Sequence, residues 1–187
     1  FIQQVEAPSF APSQTYAKRL LASLAFEMTG AQKRVSREIA QDLKTNKPML
    51  RLVQGDVGAG KTLVAGVAAC HALEEGWQVA LMAPTEILAE QHYLNFKRWF
   101  EPLGLNVAWL SGKQKGKARA AAEQLIRDGS AHLVIGTHAL FQENVEFAKL
   151  GLVIIDEQHR FGVDQRLALR NKGLDGMSPH QLVMTAT

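Results

Sequence analysis

The sequence predicts an α/β fold in which helices cover both faces of a parallel sheet. Six short apolar segments have the length of buried strands, and helical patterns lie between most of them. These segments are 49–53, 79–83, 107–110, 133–135, 152–155 and 182–184. Strands that are apolar throughout are typical of parallel sheets buried on both sides, and ligands of such sheets bind at the carboxyl ends of the strands.

The composition fits one compact domain and excludes several classes of protein. Of the 187 residues, 47% are hydrophobic and 21% are charged, which argues against a disordered, collagen-like or coiled-coil chain. A single cysteine, Cys70, excludes an internal disulfide, and no Cys/His cluster has metal-ligand spacing. No apolar run has the length of a membrane span. We therefore expect a cytoplasmic protein without structural zinc and without a membrane partner. The net charge of +3 is compatible with a polyanionic partner but does not require one.

The first 25 residues are predicted to be a linker and a short helix from an upstream region. Residues 1–15 contain prolines and serines without periodicity, and the chain starts without Met. We expect an arm with no fold of its own, on a piece of a longer protein. A short apolar helix is predicted from Tyr16 to Leu24. A longer helix is predicted from Gly30 to Lys44, because Thr29 is a suitable N-cap and a proline follows the last turn.

The helix predicted after Pro84 carries an apolar stripe. Ala89, Tyr93, Phe96 and Phe100 lie at i, i+4, i+7 and i+11, which places them on one face. We interpret this stripe as a contact with the core rather than as a cofactor site.

The strand ending at Val53 is followed by a glycine-rich phosphate-binding motif. The residues that fit G-x-x-x-x-G-K-[ST] are Gly55, Asp56, Val57, Gly58, Ala59, Gly60, Lys61 and Thr62. Because this loop leads into a helical pattern, its backbone N–H groups and the helix N-terminus can face a phosphate. Lys61 adds a positive charge for the β- and γ-phosphates, and the Thr62 hydroxyl can ligand Mg²⁺. The motif predicts a nucleotide site, with an ordinary glycine turn as the structural alternative.

Two adjacent carboxylates follow the strand predicted at 152–155. Asp156 is expected to hold Mg²⁺ through its hydration shell, and Glu157 is expected to orient and deprotonate the attacking water. A base that activates water favours hydrolysis over transfer of the phosphoryl group to a substrate hydroxyl. The predicted catalytic residues are therefore Lys61, Asp156 and Glu157.

Several segments extend these motifs. They are 51–65 around the glycine loop, 81–92, 136–147, 153–166 around the two carboxylates, and Thr185-Ala186-Thr187 at the end. Together they resemble motifs I, Ia, Ib, II and III of RecG-type branched-DNA helicases of superfamily 2. The resemblance implies that residues 26–187 form the first of two RecA-like motor domains, a P-loop αβα sandwich with a mostly parallel sheet. In that fold the strand ending at Thr185 lies between the glycine-loop strand and the Asp156 strand.

The resemblance also implies what the domain works with. ATP and Mg²⁺ are the implied cofactors, and DNA is the implied partner. In the full-length bacterial chain, a second RecA-like motor domain supplies an arginine finger, and an upstream wedge domain grips branched DNA.

Gln32 has two candidate roles. With Thr29 it fits a helix capping box, in which the glutamine side chain accepts a hydrogen bond from the N-cap amide. The resemblance places Gln32 in the Q motif, where an amide side chain pairs in two-point fashion with adenine. Phe26 would then offer an apolar face to the ring. We favour the adenine role, and the two roles can alternate with nucleotide occupancy.

Coupling residues are expected next to the carboxylates and in the last strand. The resemblance implies that Gln158 and His159 connect the γ-phosphate to motif III and to the other motor domain; a hydrogen-bonded loop histidine is the alternative for His159. Thr185 is the expected motif III partner. The histidines to which we assign no function are His71, His92, His132 and His180.

A basic run follows the strand predicted at 107–110. It comprises Lys113, Lys115, Lys117 and Arg119. Such a run is usually a solvated face, but this one shares the strand-end side with segments 84–86 and 136–138, which resemble motifs Ia and Ib. Hydroxyls, backbone amides and lysines bind phosphates without reading bases. We therefore predict sequence-independent contacts to duplex and branched DNA by Thr85, Lys113, Thr137 and His138.

The predicted function is the ATP-binding half of a DNA helicase or translocase. In the full-length protein, ATP hydrolysis would drive movement on duplex DNA and the remodelling of replication forks and recombination junctions. The isolated piece is expected to be nearly inactive. Three alternatives stay open: the motor of a transcription-repair coupling translocase, a P-loop kinase, and a passive binding module. Gln158 and the tract 111–119 argue against the first, and Glu157 with Thr185 argues against the second.

Overall fold

A computed structural model describes residues 6–24, 27–55, 59–141, 145–157 and 177–186. Within these ranges the strands form one six-stranded sheet, and every described pair of neighbouring strands is parallel. The strands are β1 Leu50–Gly55, β2 Gln78–Met82, β3 Val107–Leu110, β4 Leu133–Gly136, β5 Leu150–Glu157 and β6 His180–Ala186. The helices are α1 Tyr16–Ala22, α2 Gly30–Lys44, α3 Ala59–Glu74, α4 Glu86–Phe100 and α5 Gly116–Arg127, with short 3₁₀ turns at Glu101–Leu103 and His138–Phe141.

The order of the strands is β1-β6-β5-β2-β4-β3. The last strand in sequence therefore lies between the glycine-loop strand and the strand of the two carboxylates, as predicted from the resemblance. Thr185 is paired in register with Gln54 of β1 on one side and with Glu157 of β5 on the other. This arrangement places three predicted motifs next to one another at the carboxyl edge of the sheet.

The sheet separates two apolar layers. Alternate residues of β5 face opposite sides: Leu152 and Ile154 pack with helices α1 to α4, whereas Val153 and Ile155 pack with the layer that contains Ile126 of α5. All four β5 side chains are fully buried. Burial on both faces of β5 is what its continuous apolar segment predicted. The edge strand β1 differs, because Leu50 and Leu52 are 64% and 57% exposed. The α/β sandwich fold is confirmed.

The stripe on α4 is confirmed as a core contact. Ala89, Phe96 and Phe100 are fully buried, and the partly buried Tyr93 packs against the same cluster. The rings of Phe96 and Phe100 stack at a centroid distance of 5.7 Å. Several ends differ from the prediction: α1 stops at Ala22 rather than Leu24, β2 lies one residue earlier, and β1, β4, β5 and β6 extend past the predicted carboxyl ends. At the end of α1, the Ser23 hydroxyl donates to the Leu20 carbonyl and closes the helix.

The described part of the arm differs from the expectation that it lacks a fold. Backbone hydrogen bonds connect the amide of Ala7 to Asn46 O and that of Phe10 to Leu43 O, both at 2.7 Å. The Phe10 side chain is fully buried and packs edge-on against the ring of Trp77. It stands directly over Gly151 of β5, where a β-carbon would overlap the phenyl ring. The division of the chain at residue 26 stays a prediction.

The carboxylate of Glu74, at the end of α3, binds the start of α1. It accepts hydrogen bonds from the backbone amides of Gln14, Thr15 and Tyr16 and from the Ser13 hydroxyl. Desolvation opposes ionisation of this group, but the hydrogen bonds from Tyr16, Thr15, Gln14 and Ser13 outweigh it and lower the pKa of Glu74. A carboxylate at unpaired amides of a helix start is a favourable arrangement.

Two buried histidines also hold the arm. His71 Nδ1 accepts from the Ser13 amide at 2.8 Å. His180 Nδ1 accepts from the Met49 amide at 2.9 Å, and its Nε2 donates to the carbonyl of Pro8 at 2.6 Å. Burial lowers the pKa of both histidines; the nearby charge of Glu74 offsets this in part for His71, and the Pro8 carbonyl and the charge of Asp42 do so for His180. Both rings are therefore neutral in the folded chain near pH 7.

Candidate functional site

The glycine loop lies between a strand and a helix, as the motif requires. Strand β1 ends at Gly55 and α3 begins at Ala59, so the helix N-terminus follows the loop directly. Asp56, Val57 and Gly58 lie outside the described residues. Lys61 and Thr62 occupy the first turn of α3, and Lys61 Nζ donates to the backbone carbonyl of Thr185 at 2.9 Å. The lysine therefore bridges α3 and β6 at the carboxyl edge of the sheet.

Gln32 adopts the capping role and also contacts the glycine loop. The side-chain Oε1 of Gln32 accepts a hydrogen bond from the Thr29 backbone amide at 2.9 Å. The backbone amide of Gln32 donates to Thr29 Oγ1 at 3.2 Å, which completes the capping box. The Nε2 group lies against Gly60, where a β-carbon would overlap it. A side chain at residue 60 would therefore displace the Gln32 side-chain amide. The adenine contact of Gln32 stays a prediction, and Phe26 lies outside the described residues.

Asp156 has a specific partner in the structure. Its carboxylate Oδ2 accepts a hydrogen bond from His92 Nε2 at 2.7 Å, and the two side chains are 14% and 12% exposed. The backbone of Glu157 ends β5 beside Thr185. The two residues that follow it, Gln158 and His159, lie outside the described residues.

His92 is a site residue that the sequence analysis missed. It lies on α4, three residues after Ala89 and four before Phe96, and therefore on the side of the helix that faces the core. The signal was available, because a histidine within an apolar stripe needs a polar partner when it is buried. The identity of that partner, Asp156, depends on the packing of α4 against the sheet, which the sequence does not specify.

Thr185 has two distinct polar groups at the site. Its carbonyl accepts the hydrogen bond from Lys61, and its buried Oγ1 has no hydrogen-bond partner among the described residues. The coupling role of Thr185 stays a prediction.

The donor set at this edge fits Mg²⁺ delivered with a nucleotide. Thr62 and Asp156 offer oxygen ligands, which Mg²⁺ prefers, and Mg²⁺ usually binds through one or two protein oxygens plus phosphates and water. Within the described ranges, no group of three or more His, Cys, Asp or Glu side chains could hold a metal by itself. The residues suit a metal shared with phosphates rather than a protein-only metal site.

The predicted DNA-contact residues gather around Glu86. Thr85 is the N-cap of α4, and its hydroxyl accepts from the Leu88 amide at 3.2 Å. The Glu86 carboxylate accepts from Ser111 Oγ and from the Gly112 amide, both at 2.9 Å. Thr137 Oγ1 lies 3.4 Å from Glu86 Oε1. One carboxylate thus holds together the ends of β3, β4 and the start of α4.

The basic side chains of this region differ in their exposure to solvent. Lys113, Lys115 and Lys117 are exposed, as is His138. Arg119, however, forms an ion pair with Glu123 at 2.8 Å and donates to the Ser111 carbonyl at 3.0 Å.

Contact with phosphate stays a prediction for Thr85, Lys113, Thr137 and His138, and the structure constrains how two of them could make it. Thr137 is only 2% exposed and its hydroxyl faces Glu86, while the Thr85 hydroxyl caps its own helix. Lys113 and His138 have their side chains in solvent.

Comparison with known proteins defines the class of this fold and site. The family described as DEAD/DEAH box helicase matches residues 29–187, so the chain belongs to that family. Within it, the resemblance to RecG is confirmed. The chain is 59% identical over 186 residues to the ATP-dependent DNA helicase RecG of Escherichia coli K12, and 64% identical over 171 residues to that of Haemophilus influenzae Rd.

These alignments cover 99% and 91% of the chain, but only 27% and 25% of the relatives. The chain thus spans about a quarter of the length of the curated relatives that it matches. A solved structure of RecG bound to a three-way DNA junction superposes with a TM-score of 0.84 at 43% identity, covering 96% of this chain and 24% of that one. The DNA-bound helicase MrfA shares the fold, with a TM-score of 0.69 at 17% identity over 100% of this chain and 28% of that one.

The described residues contain no helix that combines the length and the apolar character needed to cross a membrane.

Proposed function

We propose that this chain is the ATP-binding half of a bacterial, cytoplasmic DNA helicase that remodels replication forks and recombination junctions. The observation that carries the proposal is the meeting of three motifs at one edge of the sheet. Lys61 reaches the carbonyl of Thr185, and Thr185 is paired in register with Glu157. The relatives named as ATP-dependent DNA helicases, and the RecG structure with a three-way junction, support ATP and branched DNA as the ligands.

Each residue at this edge of the sheet has its own proposed role in ATP binding or hydrolysis. The glycine-loop amides and the N-terminus of α3 bind the phosphates, and Lys61 leaves the Thr185 carbonyl to pair with the β- and γ-phosphates. Thr62 and Asp156 would hold Mg²⁺, Asp156 through water, and the ion neutralises phosphate charge when bound. Glu157 orients the attacking water and accepts its proton. Gln158, His159 and Thr185 connect the γ-phosphate to the rest of the motor.

The position of Gln32 against the glycine loop supports the proposed adenine contact. In the structure the Gln32 side chain completes the capping box of α2 and lies against Gly60. When ATP is bound, the same amide pairs with adenine, and Phe26 packs on the ring. The exchange is feasible because the side chain lies at the loop that holds the phosphates.

DNA binds across the strand ends that Glu86 holds together. Lys113 and His138 present exposed side chains there, and the segments of Thr85 and Thr137 shape the surface. These side chains bind the phosphate groups of DNA rather than its bases. The affinity for DNA is therefore independent of base sequence and decreases as the salt concentration rises.

The full cycle needs parts beyond this chain. In the proposed mechanism a second RecA-like domain closes the nucleotide site and contributes an arginine, and an upstream domain grips the branch point. An arginine finger is worth about 10³ to 10⁵ in rate in related phosphoryl-transfer systems, so the chain alone turns over ATP very slowly.

A steady-state ATPase assay tests this proposal. It compares the present chain with a longer chain that contains both motor domains, each with no DNA, with duplex DNA and with forked DNA. We expect DNA-stimulated turnover in the longer chain only. Comparable stimulated turnover in both chains would refute the two-domain mechanism, and transfer of phosphate to a hydroxyl acceptor instead of water would favour a P-loop kinase.

A further inference from the structure

The contact between His92 and Asp156 is partly buried and lies at the carboxyl end of β5. His92 Nε2 lies 2.7 Å from Asp156 Oδ2, and both side chains are largely shielded from water. An ionised carboxylate can only accept, so Nε2 carries the proton and donates. Shielding from solvent strengthens such a charge-assisted hydrogen bond.

The histidine is held on a rigid element. Helix α4 is capped by Thr85 at its start, and Phe96 and Phe100 fix it in the core. The His92 ring lies beside that of Phe96, with centroids 6.3 Å apart. The position of Nε2 is therefore determined by packing rather than by a mobile loop, which is the arrangement expected of a residue that orients another.

We propose that His92 is a positioning residue that fixes the Asp156 carboxylate for its role at Mg²⁺. This inference rests on the proposed nucleotide site. A hydrogen bond to one carboxylate oxygen restricts rotation of the group and leaves Oδ1 without a recorded partner among the described residues. Groups that hydrogen-bond a metal-binding side chain typically change metal affinity by 10- to 100-fold when they are removed. His92 acts through Asp156 and does not contact the nucleotide itself.

Histidine NMR tests the contact independently of any ligand. In a ¹⁵N-histidine-labelled chain without Mg²⁺ or nucleotide, the His92 signal, assigned by its loss in His92→Gln, is expected to show a protonated Nε2. Asp156→Asn is expected to shift this signal, because the charged acceptor is lost. A His92 signal that does not respond to Asp156→Asn would refute the contact.

Nucleotide binding tests the positioning role. The affinity for the fluorescent analogue mant-ADP is measured with Mg²⁺ and with EDTA. The ratio of the two affinities measures how much Mg²⁺ contributes to nucleotide binding. We expect His92→Phe, which keeps a ring of similar size, to lower this ratio by about tenfold or more and to leave the affinity in EDTA unchanged. His92→Gln, which retains an N–H donor, should recover part of the ratio.

A double-variant cycle separates positioning from general stability. If His92 acts through Asp156, the variant with both His92→Phe and Asp156→Asn should be no worse than Asp156→Asn alone. The matched control is His132→Gln, because His132 accepts from the Asn106 amide near the start of β4, at the opposite edge of the sheet. It should leave the ratio unchanged.

Two failures can be told apart. If the wild-type chain shows no Mg²⁺-dependent binding of mant-ADP, the proposed nucleotide site is wrong and the inference fails with it. The nucleotide site is supported if the wild-type chain shows Mg²⁺-dependent binding and Lys61→Ala abolishes it. In that case the positioning role alone is refuted by either of two results. One is that His92→Phe leaves the ratio unchanged, and the other is that its effect adds to that of Asp156→Asn.

Discussion

Replacing Phe10 with Ala should strongly destabilise the domain, although Phe10 lies in a segment that reads as a linker. The side chain is fully buried and packs edge-on against Trp77 and His180, with ring centroids 5.9 Å and 5.6 Å away. Loss of a buried phenyl group costs about 3–5 kcal/mol, which includes the cavity that is left. For a chain of this size, 1 kcal/mol corresponds to about 2–4 °C in melting temperature, so we expect a decrease of roughly 6–20 °C.

Thermal and urea unfolding followed by circular dichroism measure this effect. Leu21→Ala is the matched control, because Leu21 belongs to the neighbouring helix α1 but is 37% exposed, and it should change the stability much less. If Phe10→Ala costs less than about 1 kcal/mol, the described arm is a loosely attached linker, and the packing that the structure shows for it does not contribute to folding.

Three further predictions concern pH, catalysis and the glycine loop. Because burial lowers the pKa of His71 and His180, the folded chain binds fewer protons than the unfolded chain below the ordinary histidine pKa of 6.5. The free energy of unfolding should therefore decrease as the pH falls through about 6.5, and urea titrations that show no loss there would contradict the neutral, hydrogen-bonded rings. In a chain with both motor domains, Lys61→Ala should abolish nucleotide binding, while Glu157→Gln should retain binding and stop ATP turnover. If the Glu157→Gln variant hydrolyses ATP at the wild-type rate, Glu157 is not the base. Gly60→Ala should weaken mant-ADP binding, because its β-carbon displaces the Gln32 side-chain amide, and it should change stability little, because the Thr29 hydroxyl still caps α2. An unchanged affinity would show that the close approach is not needed for binding.

The sequence predicted the elements of the sheet well, because buried parallel strands have a distinctive composition. All six strands and the exact bounds of α2 are present in the structure. The order of the strands came from the resemblance and not from periodicity, because a hydrophobic pattern contains no information about which strands are neighbours. The arm was misjudged for a related reason: Phe10 belongs to no periodic pattern, so only the tertiary structure shows that it fills a space over Gly151.

The candidate site, like the fold, was predictable from the sequence only where it depends on residues close together in the chain. Motif spacing located Lys61 and Asp156, since short-range sequence determines a strand–loop–helix turn and a strand end. It could not show that His92 and Asp156, 64 residues apart, form a hydrogen bond. It also could not show that the Thr137 hydroxyl faces Glu86 instead of solvent, because that depends on how α4 meets the ends of β3 and β4.

Strand β6 connects the arm to the proposed nucleotide site. Near its start, the His180 ring donates to Pro8 of the arm, and near its end, the carbonyl of Thr185 accepts from Lys61. Five residues of extended chain separate these contacts, or about 17 Å. Because β6 lies between β1 and β5 with both sides hydrogen-bonded, it cannot shift without disturbing either neighbour. The arm is thus hydrogen-bonded to a strand that is held on both sides, and the other end of that strand is the one that Lys61 contacts.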